Sequence, residues 1–207
     1  MFETLGMLKQ GGWCMIPLGI CSLAALAITI ERVLALRHKV VIRPRVQRAV
    51  EEYDGEEDAD GAFVACQRAG GAFAKIIAEV ILARHLEHAQ AIESMHAVGR
   101  TQVSRLERGL TALEIITGIS PLLGLLGTVL GMVDVFNAIT TGGLGNAQML
   151  SSGISKALIT TVAGLSIAIP ALAAHSLLSK RVEELAAEMQ DRATNFILKL
   201  QALNSRR

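Results

Sequence analysis

The chain alternates between long stretches almost without polar side chains and stretches in which apolar residues recur with helical spacing. Trp13 to Ile30 is an unbroken apolar run, and it reaches Leu36 when Glu31 and Arg32 sit at the level of the lipid headgroups. From Ile115 to Ser179 the only formally charged residues are Asp134 and Lys156, and most of the rest is Gly, Ala, Ser, Thr and branched aliphatics. A segment that long and that uncharged belongs in lipid, where about 20 apolar residues cross a hydrocarbon core of about 30 Å. A charge-free, glycine-rich connection, 140–153, divides it into two crossings. The pattern therefore predicts an all-α membrane protein with transmembrane helices at 13–36, 110–139 and 154–179. Around them lie an N-terminal segment, 1–12, a helical region, 37–109, and a C-terminal helix, 180–207.

The polar regions carry their own periodicity. Region 37–109 opens on an acidic cluster, Glu51, Glu52, Asp54, Glu56, Glu57, Asp58 and Asp60, which reads as a solvated turn and helix start because the ligand spacing of a cation loop is missing. After Gly70 and Gly71, Phe73, Ile76, Ile77, Val80 and Ile81 share one helix face, and Met95, Val98, Val103 and Leu106 continue it. Only Gly99 and Gly109 interrupt the approach to the second span, so a long helix is expected to leave the membrane and run on into this region. In the last segment Val182, Met189, Phe196 and Leu203 recur every seven residues, with Leu185, Ala186, Ala193 and Leu200 in the same stripe. That stripe fits packing either on the chain's own bundle or on a copy of itself.

Charge sets the orientation. Arg32, Arg37, Lys39, Arg43, Arg45 and Arg48 follow the first span, Arg100, Arg105 and Arg108 precede the second, and Lys180 and Arg181 follow the third. The positive-inside rule then places the N-terminus and the 140–153 loop outside, and 37–109 and the C-terminus in the cytoplasm. The net charge of +1 conceals this segregation. Cys14, Cys21 and Cys66 have neither a disulfide framework nor metal-ligand spacing. His85 and His88 lack a third ligand at helical spacing, and His175 sits near the end of the third span. No metal, cofactor or nucleic-acid partner is predicted. An enzyme is disfavoured, since there is no nucleophile and base constellation and no phosphate-binding glycine loop.

Candidate chemistry lies in the last two spans. Ser120, Gly124, Gly127 and Gly131 repeat at three or four residues, with Gly127 and Gly131 as a GxxxG pair, and Ala157, Thr161, Gly164, Ala168 and Ala171 form a matching strip. Each span also contains a proline, Pro121 and Pro170, which leaves a carbonyl for protein or water to satisfy. Thr128, Thr160 and Thr161 are the deepest polar groups, suited to lining an ion route but unable to titrate at usable pH. Glu114, four turns before Thr128 on nearly the same face, and Asp134, one turn beyond Gly131, are the candidate carboxylates. No acid lies at mid-depth, so a titrating group in a proton path would come from another chain.

Pro121-Leu122-Leu123-Gly124-Leu125-Leu126-Gly127-Thr128-Val129-Leu130-Gly131-Met132, then Gly153-Ile154-Ser155-Lys156-Ala157-Leu158-Ile159-Thr160-Thr161-Val162-Ala163-Gly164-Leu165 and Ala168-Ile169-Pro170-Ala171, closely resemble the MotA/TolQ/ExbB proton-channel family. The motifs lie within about a quarter of the chain, residues 121–171. The three-span layout resembles the ExbB/TolQ branch rather than the longer, four-span flagellar member. The resemblance implies a homo-pentameric ring in the bacterial inner membrane around two single-span ExbD/TolR-like subunits, each bringing the aspartate this chain lacks. It places the family's threonines on Thr128 and Thr161, and implies that proton passage powers a TonB- or TolA-like transducer acting on the outer membrane. Family members carry an acid where this chain has Lys156, a lysine free to snorkel to the interface, pair with Asp134 or repel cations. The alternatives are a gliding or flagellar-type stator and a non-conducting membrane scaffold. On the orientation read from charge, single cysteines placed in the 140–153 loop should react with a membrane-impermeant reagent added outside; labelling only from the cytoplasmic side would overturn it.

Overall fold

A computed structural model describes residues 12–55, 58–142 and 147–204, and every regular element among them is helical. In chain order these are α1 (Met15–Ala35), α2 (His38–Val41), α3 (Pro44–Glu52), α4 (Ala59–Ala69), α5 (Ala72–Leu82), α6 (His88–Leu106), α7 (Leu110–Gly142) and α8 (Ala147–Asn204), with a 3-10 turn at Ala83–His85. α1, α7 and α8 each contain a stretch long and apolar enough to cross a membrane. Almost all of the N-terminal segment, 1–11, the middle of the 140–153 loop, 143–146, the terminal residues 205–207, and Glu56 and Glu57 of the acidic cluster lie outside the described residues. The chain forms two compact units, residues 1–31 with 109–176 and residues 32–108 with 177–207.

The first unit is organised by one seam. α7 buries Leu110, Leu113, Ile116, Ser120, Gly124, Gly127, Gly131 and Val135, in steps of three and four residues. α8 answers with Gly153, Ala157, Thr160, Gly164, Ala168 and Ala171 at the same steps. These are the two small-residue strips of the sequence, joined, with one correction: Thr160 rather than Thr161 is the buried member between Ala157 and Gly164, because its side chain fills the space beside Gly127. Ile20, Leu122, Phe136 and Ile169, on the outer faces of the three helices, are each more than half exposed. Apolar surface of that extent needs lipid or other chains to cover it.

Both ends of the expected 140–153 loop are helical: α7 continues through 140–142 and α8 begins before 153. Polarity marked a turn there, but helical contact outlasts it. Gly153 still packs on the Val135 side chain, and the Thr140 hydroxyl donates to the Asn137 carbonyl at 2.9 Å.

The second unit is a helical bundle with a conventional core. Phe73, Ile76, Ile77, Val80 and Ile81 of α5 are all buried, as their spacing predicts. The C-terminal stripe of α8 buries Val182, Leu185, Met189, Ala193, Phe196 and Leu200 within the same unit, so its partner is the chain's own bundle. Tyr53 meets Phe196 edge to face, with ring centroids 5.3 Å apart. Gly70 and Gly71, at φ 63° and 94°, turn the chain between α4 and α5 where an L side chain would be strained. Polar ties close the bundle: Lys199 Nζ donates to the Glu51 carbonyl at 2.8 Å at the end of α3, and Arg43 Nη1 donates to the Ala69 carbonyl at the end of α4. His38 Nε2 lies 3.0 Å from Glu188, which also pairs with Arg192 at 2.9 Å. The His38 hydrogen bond, helped by Arg192, holds the Glu188 carboxyl below its ordinary range, while burial pushes the Cys66 thiol up to about 11.

The long helix expected to lead into the second span is instead two helices. α6 ends at Leu106 and Gly109 adopts φ 86°, a left-handed conformation that stops the helix, before α7 starts. The long uninterrupted helix is α8, 58 residues that begin in the first unit and finish in the second. His85 closes the 3-10 turn and His88 opens α6, with the extended Leu86 between them, so the two do not share a helix face.

Phe196 is nine-tenths or more buried against Tyr53, so Phe196→Ala should cost about 3–5 kcal/mol. The loss would appear as a lower Tm of the detergent-solubilised protein; an unchanged Tm would remove the bundle core described here.

Candidate functional site

The site forms where two helices approach to backbone contact. A Cβ on Gly124 would stand 3.0 Å from the Thr160 carbonyl oxygen and 3.1 Å from Thr161 Cα. One on Gly131 would stand 2.9 Å from Ala157 Cβ, and one on Gly164 would stand 2.5 Å from the Ser120 carbonyl oxygen. At Gly131 and Gly164 a side chain would force the neighbouring helix to shift, and at Gly124 the facing backbone would have to give by a few tenths of an ångström, so small residues are what let the two helices lie this close.

That closeness brings two hydroxyls and a carbonyl together. Thr128 Oγ1 and Thr161 Oγ1 are 2.5 Å apart, and they lie 3.1 Å and 3.2 Å from the Gly124 carbonyl oxygen. Each hydroxyl has one proton to donate. One therefore donates to the other, and the other donates to Gly124; exchanging the roles gives an equivalent arrangement. Both protons are then committed inside the chain, while lone pairs on the oxygens remain able to accept. The pair is complementary to a group that donates, such as a protonated carboxyl. Ionising that carboxyl removes its proton, and a threonine must break an internal hydrogen bond to meet it.

Thr160, one residue from Thr161, turns the opposite way. It is fully buried, its hydroxyl donates to the Ala157 carbonyl at 2.8 Å, and its side chain fills the space that a Cβ on Gly127 would occupy. Thr128 and Thr161 remain only partly buried.

The two candidate carboxylates stand apart from this pair. Asp134 forms an ion pair with Lys156 at 3.0 Å, and the Lys156 stem lies against Gly12 near the start of α1. Of the roles open to Lys156, the structure selects pairing. Glu114 is exposed on α7, about 21 Å from Thr128 at about 1.5 Å per residue. The two share a face with Pro121, since 114, 121 and 128 are seven residues apart beside the buried seam. Pro170 lines a groove of about 260 Å³ between α1 and α8, with Ser22, Ala25, Thr29 and Ser166. Among the described residues no group of three or more His, Cys, Asp or Glu is placed to hold a metal.

Sequence reasoning treated Ser120 as a packing residue, and the structure adds a chemical property to that position. Ser120 is fully buried, and its Oγ makes no hydrogen bond to the protein. A signal for its burial was present in the sequence, since 113, 120 and 127 mark the centre of the seam.

Comparison with known proteins places these features. The profile of the MotA/TolQ/ExbB proton channel family matches residues 69–191, more than half of the chain. The chain is 34% identical to a biopolymer transport protein, ExbB-like 1, of Synechocystis, over 79% of this chain and 65% of that protein. It is 43% identical to the biopolymer transport protein exbB1 of Vibrio cholerae, over 43% of this chain and 40% of that one. It is 36% identical to the Tol-Pal system protein TolQ of Haemophilus influenzae, over 44% of this chain and 40% of that protein. The chain thus spans less than two thirds of the length of these relatives.

Gly127→Ala would drive a methyl into the Thr160 side chain, whereas Gly118→Ala meets nothing within 4 Å. The first should destabilise the protein by about 1–3 kcal/mol. The second should be neutral, or stabilising by up to about 1 kcal/mol through helix propensity. Thermal unfolding in detergent compares them, and equal Tm shifts would contradict the close seam.

Proposed function

The chain belongs to the MotA/TolQ/ExbB proton channel family, in its ExbB/TolQ branch, and on that premise we propose that it is the ring-forming subunit of a proton-driven energy transducer in the bacterial inner membrane. Five copies surround the single spans of two ExbD/TolR-like subunits, with the N-terminus outside and the C-terminus cytoplasmic. Proton flow turns the ring about this central pair, and the work passes to a TonB- or TolA-like transducer for import or envelope maintenance at the outer membrane.

The observation that carries this reading is the Thr128–Thr161 pair anchored on the Gly124 carbonyl. It offers acceptors to a neutral carboxyl on a wall that has no acid of its own at that depth. The partner aspartate would dock protonated and leave ionised, so occupancy of the site depends on the proton. Apolar outer faces on all three spans supply the surface for neighbouring copies and lipid. The driving force is about 2.3 kcal/mol per proton for each 100 mV, enough over several protons for mechanical work.

Vesicles containing this chain and its single-span partner should take up protons on energisation. Thr128→Ala and Thr161→Ala should each lower that flux by roughly tenfold, the weight of about 1.4 kcal/mol on a rate. Undiminished flux in both variants would remove the site assignment. A complex that assembles but never conducts would leave the scaffold reading in its place.

A further inference from the structure

Arg37 and Lys39 stand two and four residues beyond the end of α1, and Arg105 and Arg108 stand five and two residues before the start of α7. The two connections lie side by side, because Arg32 Nη1 on α1 donates at 3.3 Å to the carbonyl of Leu106, the last residue of α6. All four residues are exposed, and among the described residues none of them forms an ion pair. With Arg32, five cations stand against two neighbouring acids, Glu31 and Glu107. Like charges gathered in this way repel one another, and an anion between them relieves the repulsion. On the inner side of the first connection Leu36, Val41 and Ile42 are buried, which pins it to the bundle with its cations outward.

Their position decides which anion is at hand. α1 and α7 each contain an apolar stretch long enough to cross a membrane. At no more than about 3.6 Å per residue, Arg37 and Arg108 lie within about 7 Å of the end of such a helix, and Lys39 within about 14 Å. The headgroup layer takes up about 5–8 Å on each side of the hydrocarbon core, and long cationic side chains extend toward it. Val33, Leu34 and Val40, close to Arg37 and Lys39 in the chain, are each about half exposed, a mixture of apolar and basic side chains that suits the boundary between headgroups and acyl chains. We propose that Arg37, Lys39, Arg105 and Arg108 form a binding surface for the phosphate headgroups of anionic phospholipids in the leaflet where α1 ends and α7 begins. Phosphates held there tie the end of α1 and the break at Gly109 to one depth in the bilayer. The surface serves the chain whether or not it conducts protons.

The test reconstitutes the full chain in phosphatidylcholine vesicles and measures how much of a spin-labelled lipid the protein immobilises, with phosphatidylglycerol or phosphatidylcholine as the probe. Phosphatidylglycerol should be favoured roughly fivefold, the weight of one cation at an anionic surface. The preference should fall toward one in about 1 M sodium chloride, where the screening length is about 3 Å. Arg37→Gln, Lys39→Gln, Arg105→Gln and Arg108→Gln, combined, should remove most of it, while Arg43, Arg45, Arg48 and Arg100 remain to hold the orientation. The charge-preserving set Arg37→Lys, Lys39→Arg, Arg105→Lys and Arg108→Lys should keep it. Equal immobilisation of the two lipids by the unaltered chain would overturn the proposal, as would an undiminished preference in the glutamine set or a preference lost in the charge-preserving set. Inorganic phosphate added at constant ionic strength should change nothing; loss of the preference there would assign the cations to a soluble anion instead. The salt and phosphate arms use the unaltered chain alone, so the result does not hinge on the folding of the variants.

Discussion

The site depends on the approach of two membrane-spanning helices to backbone contact. Lipid is as apolar as any leucine, so burying large aliphatics between α7 and α8 would bring little driving force. Close packing and interhelical hydrogen bonds hold such helices together, and both require small residues at the seam. Gly124, Gly131 and Gly164 meet this demand directly, each facing backbone or Cβ atoms of the opposite helix. The same approach brings the Thr161 hydroxyl to the Gly124 carbonyl on the neighbouring helix. Separating the helices by one methyl would therefore disturb the packing and the polar cluster together.

Proton accounting then gives the cluster its character. Thr128 and Thr161 have two protons between them, and their mutual contact with one carbonyl commits both. Neither hydroxyl titrates, so the cluster responds to the protonation of whatever approaches it without storing charge itself. In the proton-channel reading this division of labour is the mechanism: the partner supplies the acid, and this chain supplies a surface with different hydrogen bonds for its two protonation states. Asp134, the acid nearest in sequence, is held by Lys156 instead. Their half-exposed ion pair is of the kind that contributes little to stability, about 0–1 kcal/mol.

α8 shows one periodicity serving two surroundings. Its buried stripe advances by three and four residues from Gly153 to Ala171 and again from Leu178 to Leu200, with one seven-residue step between the two runs. The occupants change along the way, from Gly, Ala and Thr where it meets α7 to Leu, Met and Phe in the bundle. In lipid the premium is on close backbone approach; in water it is on apolar area removed from solvent. A single helix therefore carries both solutions on one face.

The three span-length apolar helices, the helical regions between and after them, most of the small-residue strips and the family were legible in the sequence, because the bilayer and the helical repeat constrain composition and spacing over many residues at once. The core residues of α5 and the C-terminal stripe could be read for the same reason. Adjacent threonines are a harder case: successive residues on a helix point about 100° apart, and Thr160 and Thr161 are alike until a neighbour determines which one faces Gly127 and which meets Thr128. The choice of Asp134 by Lys156, the break at Gly109 and the unpaired hydroxyl of Ser120 belong to the same class. By itself, the sequence determined which faces are apolar or small, since periodicity is a property of one helix. Only the tertiary structure decided which polar atoms meet, because a hydrogen bond depends on the position of a second helix to within a fraction of an ångström.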